Sequence, residues 1–130
     1  IAKGFMASGL STMLGEWLST LANLPIHFVV LVICLLVTYL TEITSNTATT
    51  TLLMPILAIA ASASGYDPTV FMIPAAMCAS CAFMLPVATA PNAIAYGTGE
   101  VSIQSMVKEG AVLSFVISCL IALTCVAFFV

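Results

Sequence analysis

Two strongly apolar runs, Phe28 to Val37 and Leu52 to Ala61, are separated by Glu42-Ile43-Thr44-Ser45-Asn46-Thr47-Ala48-Thr49-Thr50-Thr51. That interval holds one acid and seven small hydroxyl or amide side chains. A polar knot between apolar arms is costly in a hydrocarbon setting. It is tolerated at membrane depth only where protein buries it or where it lines a watery cavity. The knot is therefore a candidate binding site on physical grounds alone.

The setting is a membrane. The chain is 62% hydrophobic and 5% charged, where a soluble domain carries about 25% charged residues. Two basic residues (Lys3, Lys108) and five acidic ones (Glu16, Glu42, Asp67, Glu100, Glu109) cannot clothe a water-facing surface of this size. The surface must face lipid, which predicts an integral, multi-pass protein of a plasma or bacterial inner membrane. No basic patch suits nucleic acid. The chain opens at Ile1 and closes at Val130, each within an apolar stretch. This reads as a C-terminal piece of a larger membrane protein.

The apolar runs predict an all-α membrane protein in four parts. Residues 1–25 form a truncated transmembrane or interfacial helix, thinned by Gly4, Gly9 and Gly15 and anchored by Glu16-Trp17. Asn23-Leu24-Pro25 ends it. Residues 26–64 follow as a hairpin with its polar tip at 41–51. The first arm, Ile26 to Leu40, reaches about 22 Å at 1.5 Å per residue, short of a ~30 Å hydrocarbon core. The second arm, Leu52 to Ser64, is shorter still. Half-length arms with a polar tip predict a re-entrant hairpin rather than two spans joined by a surface loop.

Residues 65–110 form the third part. Gly65-Tyr66-Asp67-Pro68 is a surface turn, with Asp67 capping the next helix and Pro68 at its first position. That helix is expected over Thr69 to Leu85. It breaks at 86–92, Pro86-Val87-Ala88-Thr89-Ala90-Pro91-Asn92, and resumes over Ala93 to Gly97. A short amphipathic piece, Ser102 to Lys108, precedes a final span over 111–130. Lys108 places its loop in the cytoplasm by the positive-inside tendency. The turn at Tyr66 to Pro68 then lies outside.

Two interrupted segments within about 50 residues are the pattern of secondary transporters, whose broken helices offer helix ends and free carbonyls to substrate and ions. Helix N-termini suit an anion, and loose carbonyls suit a small hard cation. Ser, Thr and Asn supply neutral donors and acceptors that hold a carboxylate or sulfate without fixing it too tightly for release. An enzymatic alternative would use Cys78, Cys81 and His27 as an intramembrane redox or metal site. Cys78-Ala79-Ser80-Cys81 has the CxxC spacing but no second pair, nearby His or βαβ context. It reads as helix packing, as do Ser62, Ser64, Ser80, Ser114 and Ser118. His27, beside Pro25, reads as interfacial, with a proton relay as the rarer alternative. For Glu42 two readings stay open: a charge that attracts sodium or takes up a proton, or an acceptor for backbone N–H groups. A passive channel would need a charged ring or carbonyl filter, and neither pattern occurs.

Thr41-Glu42-Ile43-Thr44-Ser45-Asn46-Thr47-Ala48-Thr49 resembles the second Ser-Asn-Thr signature of the divalent anion:sodium symporter family. Cys81-Ala82-Phe83-Met84-Leu85-Pro86-Val87-Ala88-Thr89-Ala90-Pro91-Asn92-Ala93-Ile94 resembles the second broken-helix motif of the same family. The likeness extends over nearly the whole chain. It implies the second half of an inverted-repeat transporter, each repeat holding a re-entrant hairpin and a broken helix. The implied activity is import of small di- or tricarboxylates, such as succinate, malate or citrate, by sodium symport. A sodium-independent dicarboxylate exchanger is the nearest alternative. Carried over by position, Ser45, Asn46 and Thr47, with Thr89 close by, would hold the substrate. Thr41, Thr44 (through its carbonyl), Asn46 and the Ala88 carbonyl would hold sodium, the only metal implied. Glu42, Pro91 and Asn92 would support them. No further cofactor is implied, and the full-length protein would be a homodimer. One departure stands out: Thr-Pro-Pro-Asn is common in the family where this chain has Thr89-Ala90-Pro91-Asn92. Losing one proline releases a fixed φ and adds an N–H.

Overall fold

A computed structural model describes residues 24–130. The first predicted part, 1–25, lies outside the described residues up to position 23, its glycines and the Glu16-Trp17 anchor included. Within them the chain is helical without strands: α1 (Ile26–Thr41), α2 (Asn46–Ala63), α3 (Thr69–Cys78), α4 (Ala90–Gly97) and α5 (Ile103–Phe129). Both α2 and α5 are long and apolar enough to cross a membrane.

α1 buries Ile26, Val29, Val30, Ile33, Cys34, Val37, Thr38 and Thr41. Their alternating three- and one-residue steps make a single stripe, as a helix packed along one side requires. That stripe meets α5 and α3. Sixteen residues give α1 a length of about 24 Å, close to the arm expected from the sequence.

The second arm differs from expectation. α2 begins at Asn46, not Leu52, and its 18 residues reach about 27 Å. Six of the ten residues of the polar knot, 46–51, are helical. The helix accommodates the threonines: Thr50 Oγ1 donates to the Asn46 carbonyl at 2.8 Å and Thr51 Oγ1 to the Thr47 carbonyl at 2.7 Å. Hydroxyls that return to the preceding turn satisfy themselves within the helix. The short-arm argument therefore holds for α1 alone.

Asp67 Oδ1 accepts the backbone N–H of Thr69 at 2.9 Å and also the Thr69 hydroxyl. These bonds hold the Asp67 carboxyl below the usual carboxylate range. A depressed folded-state value stabilises the capped turn above the unfolded value and loses that contribution as pH falls through the folded one. Asp67→Ala is expected to raise hydrogen exchange at Thr69 to Phe71, corrected for intrinsic rates, at neutral pH. The parent chain should show the same fraying only on acidification below the carboxylate range.

α3 also departs from expectation, ending at Cys78 rather than Leu85. Residues 79–89 are non-helical, so the break is longer than 86–92 and begins earlier. Pro86 removes one helical donor and disfavours α-geometry at Leu85. The rest of the unwinding comes from side chains distant in sequence, described below. The amphipathic piece at Ser102 to Lys108 and the final span prove to be one helix of 27 residues, about 40 Å long. Ser102 caps it, accepting the Ser105 N–H at 3.1 Å.

α3 lies between α1 and α2, and α5 runs along α1 and α3. Gly110, Ser114, Ser118 and Ala122, at four-residue spacing, form a buried stripe of small residues on α5. Small residues let helix backbones approach closely where no aqueous hydrophobic effect drives association. Ser118 Oγ and Thr38 Oγ1 join α5 to α1 across 2.8 Å. Phe115, Val116, Leu120 and Leu123, on the other side of α5, are exposed, as a lipid-facing surface requires. α4 buries none of its residues.

Candidate functional site

The site is built where two helices stop. α1 ends at Thr41 and α2 begins at Asn46, leaving residues 42–45 as a turn. Thr41 is fully buried. Its hydroxyl donates to the Ala79 carbonyl at 2.9 Å and lies 2.5 Å from Asn46 Oδ1. One proton serves one of these acceptors at a time. Thr44 Oγ1 donates to the Leu40 carbonyl at 2.8 Å and sits 2.6 Å from Thr49 Oγ1.

Glu42 connects this turn to the second break. The residue as a whole is 4% exposed. Oε1 accepts the N–H groups of Phe83 at 2.7 Å and Met84 at 2.9 Å, and Oε2 accepts that of Leu85 at 3.1 Å. Three charge-assisted bonds take the N–H groups that a continuing α3 would have aimed at its own carbonyls. The carbonyl side is served by Asn92, whose Nδ2 donates to Ala82 at 2.9 Å and Leu85 at 3.0 Å. These bonds are why α3 unwinds seven residues before the end expected from the prolines.

Thr89 is the N-cap of α4, and its Oγ1 accepts the Asn92 N–H at 3.4 Å. Ala90 stands at the first position of α4 and Pro91 at the second. The first N–H of any helix lacks an intrahelical partner. Alanine in place of the family's first proline therefore removes no helical bond.

A cleft of about 490 Å³ opens between the two breaks, lined by residues 42–46 together with Val87 and Ala88. The structure thus brings Glu42, Thr44, Ser45, Asn46 and Ala88 together. Thr41, Thr47, Thr89, Pro91 and Asn92 are not among the lining residues. Thr41 lies beneath the turn, Thr47 is exposed on the first turn of α2, and the Thr89 hydroxyl is engaged as a cap. Ser45 and Asn46 are the N-cap and first residue of α2, so the cleft sits at a positive helix end. Amide, hydroxyl and carbonyl groups there suit both an anion and a hard cation.

Gly110 completes the support and was missed by sequence reasoning. A Cβ built on it would stand 2.7 Å from Phe83 C and 2.8 Å from Met84 Cα, and nearer still to Phe83 O. The unwound backbone is thus held between Glu42 and α5. A glycine inside a helical pattern, at about 1 kcal/mol against alanine, was the available signal. Lys108-Glu109-Gly110 instead resembled a boundary between two elements.

Of the residues of the enzymatic alternative, Cys78 and Cys81 are one turn apart, the Cys81 N–H donating to the Cys78 carbonyl at 2.9 Å. His27 is exposed at the start of α1, beside an apolar groove shared with α5. Cys78 is fully buried, and Cys81 Sγ donates to the Met77 carbonyl at 3.3 Å. Among the described residues no three His, Cys, Asp or Glu side chains group as metal ligands.

The model of the family described as "Sodium:sulfate symporter transmembrane region" matches residues 1–130. A sodium-dependent dicarboxylate transporter, SdcS, of Staphylococcus saprophyticus is 51% identical over 110 residues, covering 85% of this chain and 21% of that protein. SdcS of Staphylococcus aureus strain USA300 is 46% identical over the same length, with the same coverage of each chain. The match spans about a fifth of the length of these relatives. Both relatives are transporters by name, and this chain is an integral membrane protein. The paired breaks and the match along the whole chain place it in the sodium:sulfate symporter family, whose members are the divalent anion:sodium symporters.

Proposed function

We propose that the full-length protein is a secondary active transporter that imports small dicarboxylates, succinate and malate foremost, by sodium symport. This chain is its second, inverted repeat. The observation that carries the reading is the shared cleft, in which the turn at residues 42–46 and the break at Val87 and Ala88 line one space. The function named for the SdcS relatives supports the choice of sodium and dicarboxylate.

In this reading α1 and α2 are a re-entrant hairpin with its tip at the cleft. Ser45, Asn46 and Thr47 meet a substrate carboxylate at the positive end of α2, with Thr89 near. Asn46 Oδ1, the Thr44 and Ala88 carbonyls and Thr41 surround a sodium ion. Glu42, Pro91 and Asn92 hold the two breaks in place. The preceding repeat supplies the other half of the substrate site, and two copies of the full-length protein form a homodimer.

The test is uptake of labelled succinate into proteoliposomes holding the full-length protein. An inward sodium gradient should drive saturable uptake that potassium does not support. Malate should compete at similar concentrations, and citrate and sulfate should compete less well. Equal counterflow with and without sodium would replace symport by sodium-independent exchange.

A further inference from the structure

Glu42 is the one carboxylate buried in the described part of the bundle, and substrate or sodium coordination gives it no task. Its bonding is unusual in one respect: all three donors are backbone N–H groups from consecutive residues on a different segment. Oε1 accepts two of them and Oε2 one, so a single lone pair is left uncommitted on the carboxylate. The residue also lines the cleft, four residues before Asn46 in sequence and sharing that space with Ala88. The 83–85 backbone that it grips leads within three residues to Ala88. On its far side that backbone rests against Gly110.

We infer that Glu42 is a positioning residue. Its carboxylate ties the unwound 83–85 backbone to the α1–α2 turn, so the Asn46 amide and the Ala88 carbonyl are held in register and the two breaks move as one body. This rests on the cation site proposed above. The physical reason for a carboxylate is its acceptor capacity in a planar pair. A peptide carbonyl cannot take three converging N–H groups, and a glutamine side chain turns a donor toward Leu85.

The variants separate positioning from charge. Glu42→Gln keeps the length and the Oε1 acceptor for Phe83 and Met84, but loses the charge and opposes an NH2 to the Leu85 N–H. Glu42→Asp keeps the charge but withdraws it by one methylene. Positioning predicts parent above Gln above Asp; a purely electrostatic role predicts Asp above Gln.

Two readouts are needed in the full-length protein. The first is oxidative cross-linking of Ile43→Cys with Val87→Cys, both exposed at the cleft. It uses a background with the native cysteines replaced and a protease site inserted in the Gly65-Tyr66 turn to report the link. Glu42→Asp should slow cross-linking by roughly fivefold or more, with Glu42→Gln between it and the parent. The second is transport: Glu42→Asp should raise the half-saturating sodium concentration roughly tenfold, with the succinate KM at saturating sodium changed by no more than about twofold.

Cross-linking at the parent rate in both variants would overturn the inference. So would better rescue by Asp than by Gln in either readout. If the parent itself shows no sodium-dependent uptake, the proposed transport function fails, and the cross-linking order still decides whether Glu42 holds the breaks together.

Discussion

Asn46→Ala is expected to abolish sodium-driven succinate uptake by the full-length protein, lowering the initial rate at least about a hundredfold. Asn46 lies 2.5 Å from the Thr41 hydroxyl and lines the cleft. Its amide is the one side chain proposed to meet both sodium and substrate. Losing two bonds to charged partners at about 1.5–3 kcal/mol each removes that much rate or more. Folding should survive. The residue is half-buried at the first position of α2, where alanine is a favourable helix former. Elution from size exclusion and melting temperature should match the parent protein. Undiminished uptake would remove Asn46 from the site and with it the assigned overlap of the two ligands.

The second large effect is expected at Gly110. Replacing a helical glycine by alanine ordinarily stabilises by about 0.5–1 kcal/mol. Here the new Cβ meets the Phe83 and Met84 backbone at well under van der Waals distance. Overpacking of this kind costs about 1–3 kcal/mol. The obstructing atoms are backbone and are pinned from behind by Glu42, so they cannot swing away as a side-chain tip would. The clash should outweigh the propensity gain. Gly110→Ala should therefore lower the melting temperature and reduce uptake as the 83–88 segment is displaced. A raised melting temperature would mean that α5 does not press on the break.

Several features were legible before any coordinates. The scarcity of charge in a chain 62% hydrophobic leaves lipid as the only solvent for its surface. Ile26 to Leu40 carries a helix whose ends differ from α1 by a single residue. Asp67 is followed by a proline and a helix start, and its carboxylate does bond the first turn. The two family motifs name the segments that line the cleft.

Other features were hidden for a common reason. A threonine at 50 or 51 reads as loop-forming when its hydroxyl is assumed to look outward, yet each returns to the carbonyl four residues back. Phe83, Met84 and Leu85 read as helical because they are apolar and precede the proline. Their N–H groups are taken instead by a carboxylate about 41 to 43 residues earlier in the chain. Gly110 reads as a boundary because its neighbours are charged, while its actual constraint is a backbone on another segment.

From the order of residues alone come the lipid environment, the helical class, the position of the turns, and the presence of two polar interruptions. Each follows from local chemistry: hydropathy over a helix length, a fixed proline φ, a cap that bonds within three residues. Where each interruption starts and stops, and what stands across from it, were decided only in three dimensions. Backbone donors and acceptors in a low-dielectric interior must all find partners, and for the segment after α3 those partners are Glu42, Thr41 and Asn92, brought there by folding.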